Sequence, residues 1–374
     1  MDHPKKILIL YASAGYGHKK AAKAIEEAYR KKGRHAVRCV DVLTITTSIF
    51  GQGYERTYLF LIRHFPWLWG FFYYLTDVRW VYLAVIKPLR RAVNAFVGGR
   101  LARLIFEERA SVIISTHFLS TEVAGHLKAR GQIHSRLVTV VTDFMPHYFW
   151  LSPGVDAYEV ALPETKQALV KKGVAPEKIY VMGIPVEPKF SRPLSKEAIQ
   201  SHYSIPKGAF TILLTSGAAA VGPFKKMVES LRNLKRPLQI LVVCGNNDRL
   251  REDLSRTYAS DGSVKIFGFV QNMEELMEVA DLVVGKGGGL TLSECLAKDR
   301  PMLIFRPVPG QESRNARCME KHGAGVTVHS IRKVRENVLG FLDHPARLDY
   351  LKRNAVRLGK PRAAEAIGEW LDHE

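Results

Sequence analysis

Short, continuous, β-branched runs alternate with helix-like segments along this whole chain. The first set reads as strands at Ile7–Ala12, Ala36–Val42, Val112–Thr116, Leu137–Thr142, Tyr158–Leu162 and Ile179–Met182. The second reads as strands at Thr211–Thr215, Ile240–Cys244, Val264–Phe267, Leu282–Val284, Met302–Phe305 and Val326–Val328. Runs that are mostly continuous rather than alternating belong to strands buried on both faces, which means parallel sheets covered by helices. Between Gly183 and Pro206 the alternation stops, and Pro185, Pro188, Pro193 and Pro206 follow with no sustained period. The expected organisation is therefore an α/β chain of two Rossmann-like domains. The first covers 1–186, a linker 187–206, the second domain 207–360, and a C-terminal helix 361–374 that returns to the first domain. Ligands of such sheets bind at the carboxyl ends of the strands, so two facing domains would create a cleft.

The bulk numbers bound the partners. With 374 residues, 47% of them hydrophobic, each domain can have a proper core. The net charge of +19 implies a polyanionic partner, for which nucleic acid, anionic lipid and nucleotide all qualify. Cys39, Cys244, Cys295 and Cys318 form no C-x-x-C pair and no metal spacing, which reads as structural thiols in a reducing cytosol. The first apolar run is a short strand rather than a cleavable signal. The richest apolar stretch, Tyr54–Ile86, is interrupted by Glu55, Arg56, Arg63, His64, Asp77 and Arg79. A spanning helix needs about 20 predominantly apolar residues, so the expectation is a soluble or peripheral protein.

The opening "ILILYASAGYGHKKAAKAIEEA" places a Gly-containing turn between a strand and an Ala-rich helix. It is not a P-loop, because Gly17-His18-Lys19-Lys20 supplies no hydroxyl for magnesium. It departs from the dinucleotide fingerprint too: Gly15 and Gly17 fit, but Lys20 stands where the third glycine lets helix and strand pack closely. The helix that follows has Ala21, Ile25 and Ala28 on one face, Glu26–Arg30 and Glu27–Lys31 as i,i+4 pairs, and Gly33 as its C-cap.

The second domain contains the most specific segment, "GKGGGLTLSECLAKDRPMLIFRPVPGQESRNA". Gly287, Gly288 and Gly289 follow a buried strand and precede a helix, so free backbone NH groups and a helix amino end converge on an anion site. Glu294 lies in the first turns of that helix, where a carboxylate can accept two hydrogen bonds from a ribose diol. The turn with Gln311, Glu312 and Asn315 is suited to sugar hydroxyls.

These residues resemble the donor-binding signature of glycosyltransferase family 28, in particular the branch of diacylglycerol glucosyl- and galactosyltransferases. "PGQE" followed by Asn315 is close to that branch. The resemblance implies a GT-B fold and a UDP-glucose or UDP-galactose donor. Its ribose would be bound by Glu294, its diphosphate by the glycines and its hexose by Gln311, Glu312 and Asn315. "LLTSGAAAVGPFKK" resembles the family's first donor loop through Gly217 and Gly222, but Ala218, Ala219 and Ala220 are bulkier than the usual glycines. "IFGFVQNMEELMEVADLVV" matches the segment whose backbone receives uracil, near Gly268 and Phe269. In the first domain "VTDFMPHYFW" and "VMGIPVEPKF" match acceptor-domain text, and the family's acceptor-facing turn corresponds to Gly15, Gly17 and His18.

By resemblance His18 removes the proton of the attacking hydroxyl, and an unperturbed pKa near 6.5 would suit that task. His117 and His147 stand at strand ends and are candidates for acceptor contact, while Asp143 could orient a histidine, bind acceptor hydroxyls, or act as a helix cap. No D-x-D motif lies near the donor glycines, so neither metal nor other cofactor is expected. The leaving group's charge would fall to backbone dipoles and Lys286. Residues 54–74 contain ten aromatics, and Arg79–Arg103 contains six basic residues and no acid. Amphipathic packing would explain the aromatics; a membrane surface, touched by Trp67, Trp69, Arg90 and Arg91, explains the charge as well.

The expected activity is inverting transfer of a hexose to diacylglycerol, open to further sugar additions, at the inner face of the bacterial cell membrane. A UDP-sugar 2-epimerase, a lipid-linked-saccharide transferase of the same fold and a nonenzymatic UDP-sugar sensor are the alternatives. No nucleic-acid recognition motif is present.

Overall fold

The computed structural model describes residues 4–13, 16–45, 60, 61 and 64–373, without the side chains of 95–97. It consists of two compact units, one of residues 1–188, 308–314 and 362–374, the other of 189–307 and 315–361.

The first unit is built on β1 (Lys6–Tyr11), β2 (Ala36–Asp41), β3 (Val112–Ser115), β4 (Arg136–Val140), β5 (Ala157–Val160) and β6 (Ile179–Val181), in the order β2-β1-β3-β4-β5-β6. All neighbours are parallel. Side chains along a strand alternate between faces, and both faces here are covered. Leu8 and Leu10 pack with Leu101, Ile105, Leu119 and Val123 from the helices Gly99–Glu108 and Phe118–Ala129. Ile7 and Ile9 pack on the other side with Ala22, Ile25 and Tyr29 of helix Tyr16–Lys32 and with Ile367 and Leu371 of helix Ala363–His373. Continuous burial of β1, β3, β4 and β5 explains why they read as nearly uninterrupted apolar runs, whereas β2 and β6 at the sheet edges are only partly buried.

Helix Tyr16–Lys32 has the two expected ion pairs, Glu26–Arg30 at 2.8 Å and Glu27–Lys31 at 3.3 Å. It ends at Gly33, whose φ of +64° is the left-handed conformation a C-cap glycine supplies. The C-terminal helix is fastened to this unit by Asp372, which accepts from Lys32 Nζ at 3.0 Å and pairs with His35 Nε2 at 2.8 Å. Lys5 Nζ adds a 2.7 Å bond to the Leu371 carbonyl.

The second unit repeats the plan with β7 (Phe210–Thr215), β8 (Leu238–Val243), β9 (Val264–Phe267), β10 (Leu282–Gly285), β11 (Met302–Phe305) and β12 (Gly325–Val328), all parallel in the order β12-β11-β10-β7-β8-β9. The proline-rich stretch read as a linker is largely part of this unit. Helix Lys196–His202 forms within it, Lys298 Nζ donates to the Arg192 carbonyl at 3.1 Å, and the Tyr203 hydroxyl donates to Glu275 at 2.9 Å. Residues 308–314, assigned by sequence to the second domain, group instead with the first unit.

In each sheet the chain reverses its direction of travel once, between β1 and β3 in the first and between β7 and β10 in the second. Crevices of doubly wound sheets open at the carboxyl ends of such strand pairs. Both glycine-containing turns singled out by sequence follow these strands.

Candidate active site

His18 lies in the first turn of helix Tyr16–Lys32, directly after β1. Its Nδ1 is 2.7 Å from the carbonyl oxygen of Thr116, which follows β3. A carbonyl only accepts, so Nδ1 is the protonated nitrogen and Nε2 holds the free lone pair. The Thr142 hydroxyl lies 3.0 Å from the same Nδ1, and the Thr116 hydroxyl donates to the His18 carbonyl at 3.0 Å. The ring meets His117 edge to face at 4.7 Å and lies 6.1 Å from Trp150. Burial lowers its pKa to about 4, outweighing the bond to Thr116 that favours the charged form. The unperturbed imidazole expected from the sequence is instead shifted down by its packing, so the ring is neutral at pH 7 although the residue as a whole is only partly buried.

His117 is the N-cap of helix Phe118–Ala129, its Nδ1 accepting from the Leu119 NH at 3.2 Å. Its buried ring sits beside His18, and burial holds its pKa well below the ordinary value. His147 differs. Its Nδ1 accepts from the Phe149 NH at 3.1 Å and its Nε2 donates to the Tyr73 carbonyl at 3.0 Å, so both nitrogens are engaged. It braces helix Pro66–Thr76, and burial lowers its pKa to about 4. Asp143 is buried and accepts a hydrogen bond from the Gln311 side-chain amide. Glu312 turns to its own backbone, accepting from the Val308 NH at 2.8 Å. Gly17 precedes His18 in the same helical turn, while Gly15 lies outside the described residues.

In the second unit the corresponding crevice is lined by backbone. A Cβ on Gly285 would lie 2.4 Å from the Thr215 carbonyl oxygen, so glycine is required for β10 to approach β7 this closely. Gly288 caps helix Gly289–Ala297, and a Cβ there would meet nothing within 4 Å, leaving open space in front of the helix amino end. Lys286, half-buried, precedes these glycines. Gly287 is steadied by Asn315, whose side-chain NH₂ donates to the Gly287 carbonyl at 3.2 Å. Asn315 is fully buried, so it supports the loop 287–289 from within the fold.

Glu294, in the second turn of that helix, is 5% exposed. In the loop after β7, Gly217 has a φ of +61° and exposed surroundings, and Gly222 lies two residues before helix Phe224–Arg232. Ala220 adopts a φ of +43°, a left-handed conformation that costs a non-glycine residue roughly 1–2 kcal/mol. Gly268 approaches Arg251, 3.2 Å from where a Cβ would stand to Cδ, and Phe269 is half-exposed beside it.

The aromatic segment presents its apolar side to solvent. Trp67 is 67% exposed, and Phe71, Phe72 and Leu75 share its side of helix Pro66–Thr76. The inner side is set by Gly70, where a Cβ would lie 2.5 Å from Pro309 Cβ, and by Tyr73 and Tyr74, over which the Arg314 guanidinium stacks at 5.0 and 5.1 Å. Trp69 is partly buried on this side. The exposed apolar surface continues through Val78, Trp80, Leu83, Val85 and Leu89. Arg91 is exposed and donates to His126 Nε2 at 3.1 Å. Arg90, read as a membrane contact, is turned inward: it pairs with buried Glu122 and its guanidinium lies 4.4 Å from the Phe149 ring centre. An arginine placed between two aromatic rings and a carboxylate is satisfied internally. Among the described residues, no helix is long and apolar enough to cross a membrane.

Three groups escaped the sequence reading. Thr116 and Thr142 both hold His18 Nδ1, the Thr116 carbonyl fixing its tautomer, although each directly precedes a residue singled out by sequence. Asp77 is the third, accepting from the Tyr148 NH at 2.8 Å, Lys172 Nζ at 2.7 Å and Arg314 Nη1 at 2.6 Å. In the sequence it stands only as an interruption of an apolar run.

Residues 18–186 match the family described as monogalactosyldiacylglycerol (MGDG) synthase, and residues 211–367 match the glycosyltransferase family 28 C-terminal domain. A protein of Bacillus cereus (strain AH187) named processive diacylglycerol beta-glucosyltransferase is 31% identical over 364 residues, covering 97% of this chain and 92% of that one. Among solved structures, MurG of Acinetobacter baumannii superposes with a TM-score of 0.66 at 16% identity over 99% of this chain and 100% of its own. UDP-GlcNAc 2-epimerase from Neisseria meningitidis, bound to UDP-GlcNAc, superposes with a TM-score of 0.62 at 14% identity over 99% and 100%. At such identities the structures speak to the fold alone, which is GT-B. With two domain matches in register and a full-length relative above 30% identity, the chain belongs to glycosyltransferase family 28, in the branch of the diacylglycerol glycosyltransferases.

Proposed function

We propose that this protein transfers a hexose, glucose or galactose, from a UDP-sugar to the hydroxyl of diacylglycerol at a membrane surface, with inversion. The observation that carries the reading is the tautomer of His18. A carbonyl holds Nδ1–H, the ring is neutral, and Nε2 is left as a base at the switch point of the first sheet.

In this reaction the diacylglycerol oxygen attacks the anomeric carbon as the bond from that carbon to the UDP phosphate breaks. Its proton passes to His18 Nε2, and UDP leaves with the bonding electrons. One displacement turns an α-linked sugar into a β-glycoside. Amides of the loop 287–289, the amino end of helix Gly289–Ala297 and Lys286 receive the charge that develops on the diphosphate. Glu294 is assigned to the ribose diol, and Gly268 and Phe269 to the uracil. Gln311 is assigned to the hexose, with Asp143 as the acceptor of its amide hydrogen. Glu312 and Asn315 then act on the sugar indirectly, by shaping the loops on which it rests. His117 is assigned to the acceptor through its Nε2 side.

The exposed apolar face from Trp67 to Leu89 favours a lipid acceptor over a 2-epimerase or a UDP-sugar sensor, neither of which needs such a surface. The protein would work as a peripheral enzyme on the inner face of the cell membrane, and its product could accept further sugars. Labelled UDP-glucose and UDP-galactose, each incubated with the protein over diacylglycerol liposomes, test this. Label in a lipid extract as a β-glycosyl product is expected; free 2-epimerised UDP-sugar, or no turnover of either donor, would overturn it.

A further inference from the structure

Residues 308–314 come after β11 in the chain, yet they are shaped by the inner side of helix Pro66–Thr76, in the first unit. A Cβ on Gly70 would stand 2.5 Å from Pro309 Cβ. At Gly310, whose φ of +100° already favours glycine, a Cβ would stand 2.7 Å from Tyr73 Cγ. One glycine on each partner thus lets the turn and the helix approach closely. Arg314 closes the clamp. Its Nη1 donates to Asp77 Oδ2 at 2.6 Å, and its guanidinium lies over the Tyr73 and Tyr74 rings at 5.0 and 5.1 Å. Asp77 is the C-cap of the helix and is itself fixed by the Tyr148 NH at 2.8 Å and by Lys172 Nζ at 2.7 Å. A half-buried carboxylate held by charged and backbone donors is a rigid anchor.

Gln311 and Arg314 stand in the first turn of helix Gln311–Lys321 at i and i+3, which puts them on one face. The Arg314 NH also donates to the Gly310 carbonyl at 3.1 Å, joining the anchored residue to the one directly before Gln311. A shift of the guanidinium is therefore passed to the Gln311 amide, whose partner is the buried Asp143. An amide that reads sugar hydroxyls must be held within about 0.5 Å of its productive position. We propose that Arg314 is a positioning residue for the sugar: through Asp77 and the two tyrosines it sets where Gln311 meets the hexose. Helix Pro66–Thr76 then has two tasks. Its outer side is the exposed apolar surface of Trp67, Phe71, Phe72 and Leu75, and its inner side is the template of the hexose turn. In this role Arg314 need not touch the substrate. The inference rests on the assignment of Gln311 to the hexose.

The test is a double-variant cycle on the full chain. Calorimetry measures affinity for UDP, which lacks the hexose, and transfer to diacylglycerol liposomes gives kcat/KM for the UDP-sugar. Arg314→Met keeps an apolar stem over the tyrosines and removes the bond to Asp77. It should lower kcat/KM by roughly 10- to 10²-fold, the scale of a misplacement near 1 Å, with UDP affinity unchanged. Arg314→Lys retains a charge for Asp77 without the planar stacking and should recover to within about two- to fivefold of wild type. Gln311→Ala should lose at least as much as Arg314→Met, again with UDP affinity unchanged. The deciding variant is Gln311→Ala/Arg314→Met. If the arginine acts through the glutamine, the double variant should match Gln311→Ala alone to within about twofold.

Losses that multiply in the double variant would give Arg314 a separate, merely structural role and overturn the proposal while leaving Gln311 on the sugar. UDP affinity falling together with kcat/KM in Arg314→Met would overturn it as well, since the damage would then reach beyond the hexose. Wild-type kcat/KM in Gln311→Ala would remove Gln311 from the hexose and the inference with it. Calorimetry with intact UDP-glucose and UDP-galactose reads the same cycle without turnover, so the inference stands or falls apart from the acceptor assignment.

Discussion

Both sheets are parallel and doubly wound, the first reversing after two strands and the second after three, and each has its crevice beside its first strand, but they furnish these crevices in opposite ways. In the first unit the crevice is made of side chains: His18, His117, Thr116 and Thr142, with imidazoles held neutral by burial. In the second it is made of backbone, with Gly285 letting β10 approach β7 and Gly288 leaving the helix amino end open. A neutral, titratable crevice is suited to removing a proton, and a glycine-lined one is suited to holding negative charge. One architecture thus supports two chemistries because function is set by what occupies the strand ends.

The sharpest way to break this comparison is at His18. If it is the base, His18→Ala should lower turnover by about 10²- to 10⁴-fold with little change in UDP affinity, since the donor contacts are assigned to the other crevice. His18→Gln retains a hydrogen-bonding group that takes up no proton near neutral pH and should be nearly as inactive. Near wild-type turnover in the glutamine variant, at saturating donor and acceptor, would reduce His18 to a positioning residue. Because its pKa is about 4, the acid limb of kcat/KM should fall near pH 4 to 5 rather than 6.5; a limb at 6.5 would contradict the burial argument.

Acid should also distinguish the units. His18 and His147 have pKa values of about 4 and His117 lies well below the ordinary value, all because of burial. Between about pH 6.5 and 4 the unfolded chain therefore binds protons that the folded chain does not. The stabilisation is complete above 6.5 and is lost as pH falls through that window, by an amount on the order of a few kcal/mol. The urea midpoint at pH 5 should lie below that at pH 7.5, and His147→Gln should narrow the gap. A midpoint independent of pH would mean that water reaches these rings.

In the glycine-lined crevice, removing the Glu294 carboxylate should weaken UDP-sugar binding by about 1.5 to 3 kcal/mol through lost charge-assisted hydrogen bonds. At 5% exposure Glu294→Gln is a better probe than alanine, because it keeps the packing of the helix. Unchanged UDP affinity in calorimetry would remove Glu294 from the donor site. A smaller effect, on stability, is expected at Gly285. The added methyl of Gly285→Ala must displace β10 from the Thr215 carbonyl, at a cost of about 1 to 3 kcal/mol in denaturant unfolding. The same substitution at Gly288, where space is open, should leave stability nearly unchanged. Equal costs at the two positions would deny that they serve different ends.

The sequence by itself determined the elements and their class. The inner strands are buried on both faces and read as nearly continuous apolar runs, and the partly buried edge strands β2 and β9 retain β-branched residues, so all twelve could be located to within about two residues; Gly33 could be identified as a cap because its φ of +64° is readily available only to glycine. It also marked the positions of the two crevices, since glycine turns after buried strands have few other uses. Tertiary structure decided which way side chains point and which are dry. Arg90 and Arg91 are neighbours of identical chemistry, yet one is enclosed by Glu122, Phe118 and Phe149 and the other is exposed. His117 and His147 read alike as strand-end histidines, but only His117 meets His18, while His147 spends both nitrogens on backbone. The drop in the His18 pKa, the hub at Asp77 and the grouping of 308–314 with the first unit depend on groups distant in sequence. Periodicity and turn chemistry are local and survive in the text of a chain, whereas desolvation and hydrogen-bond partnership arise only when remote segments are brought together.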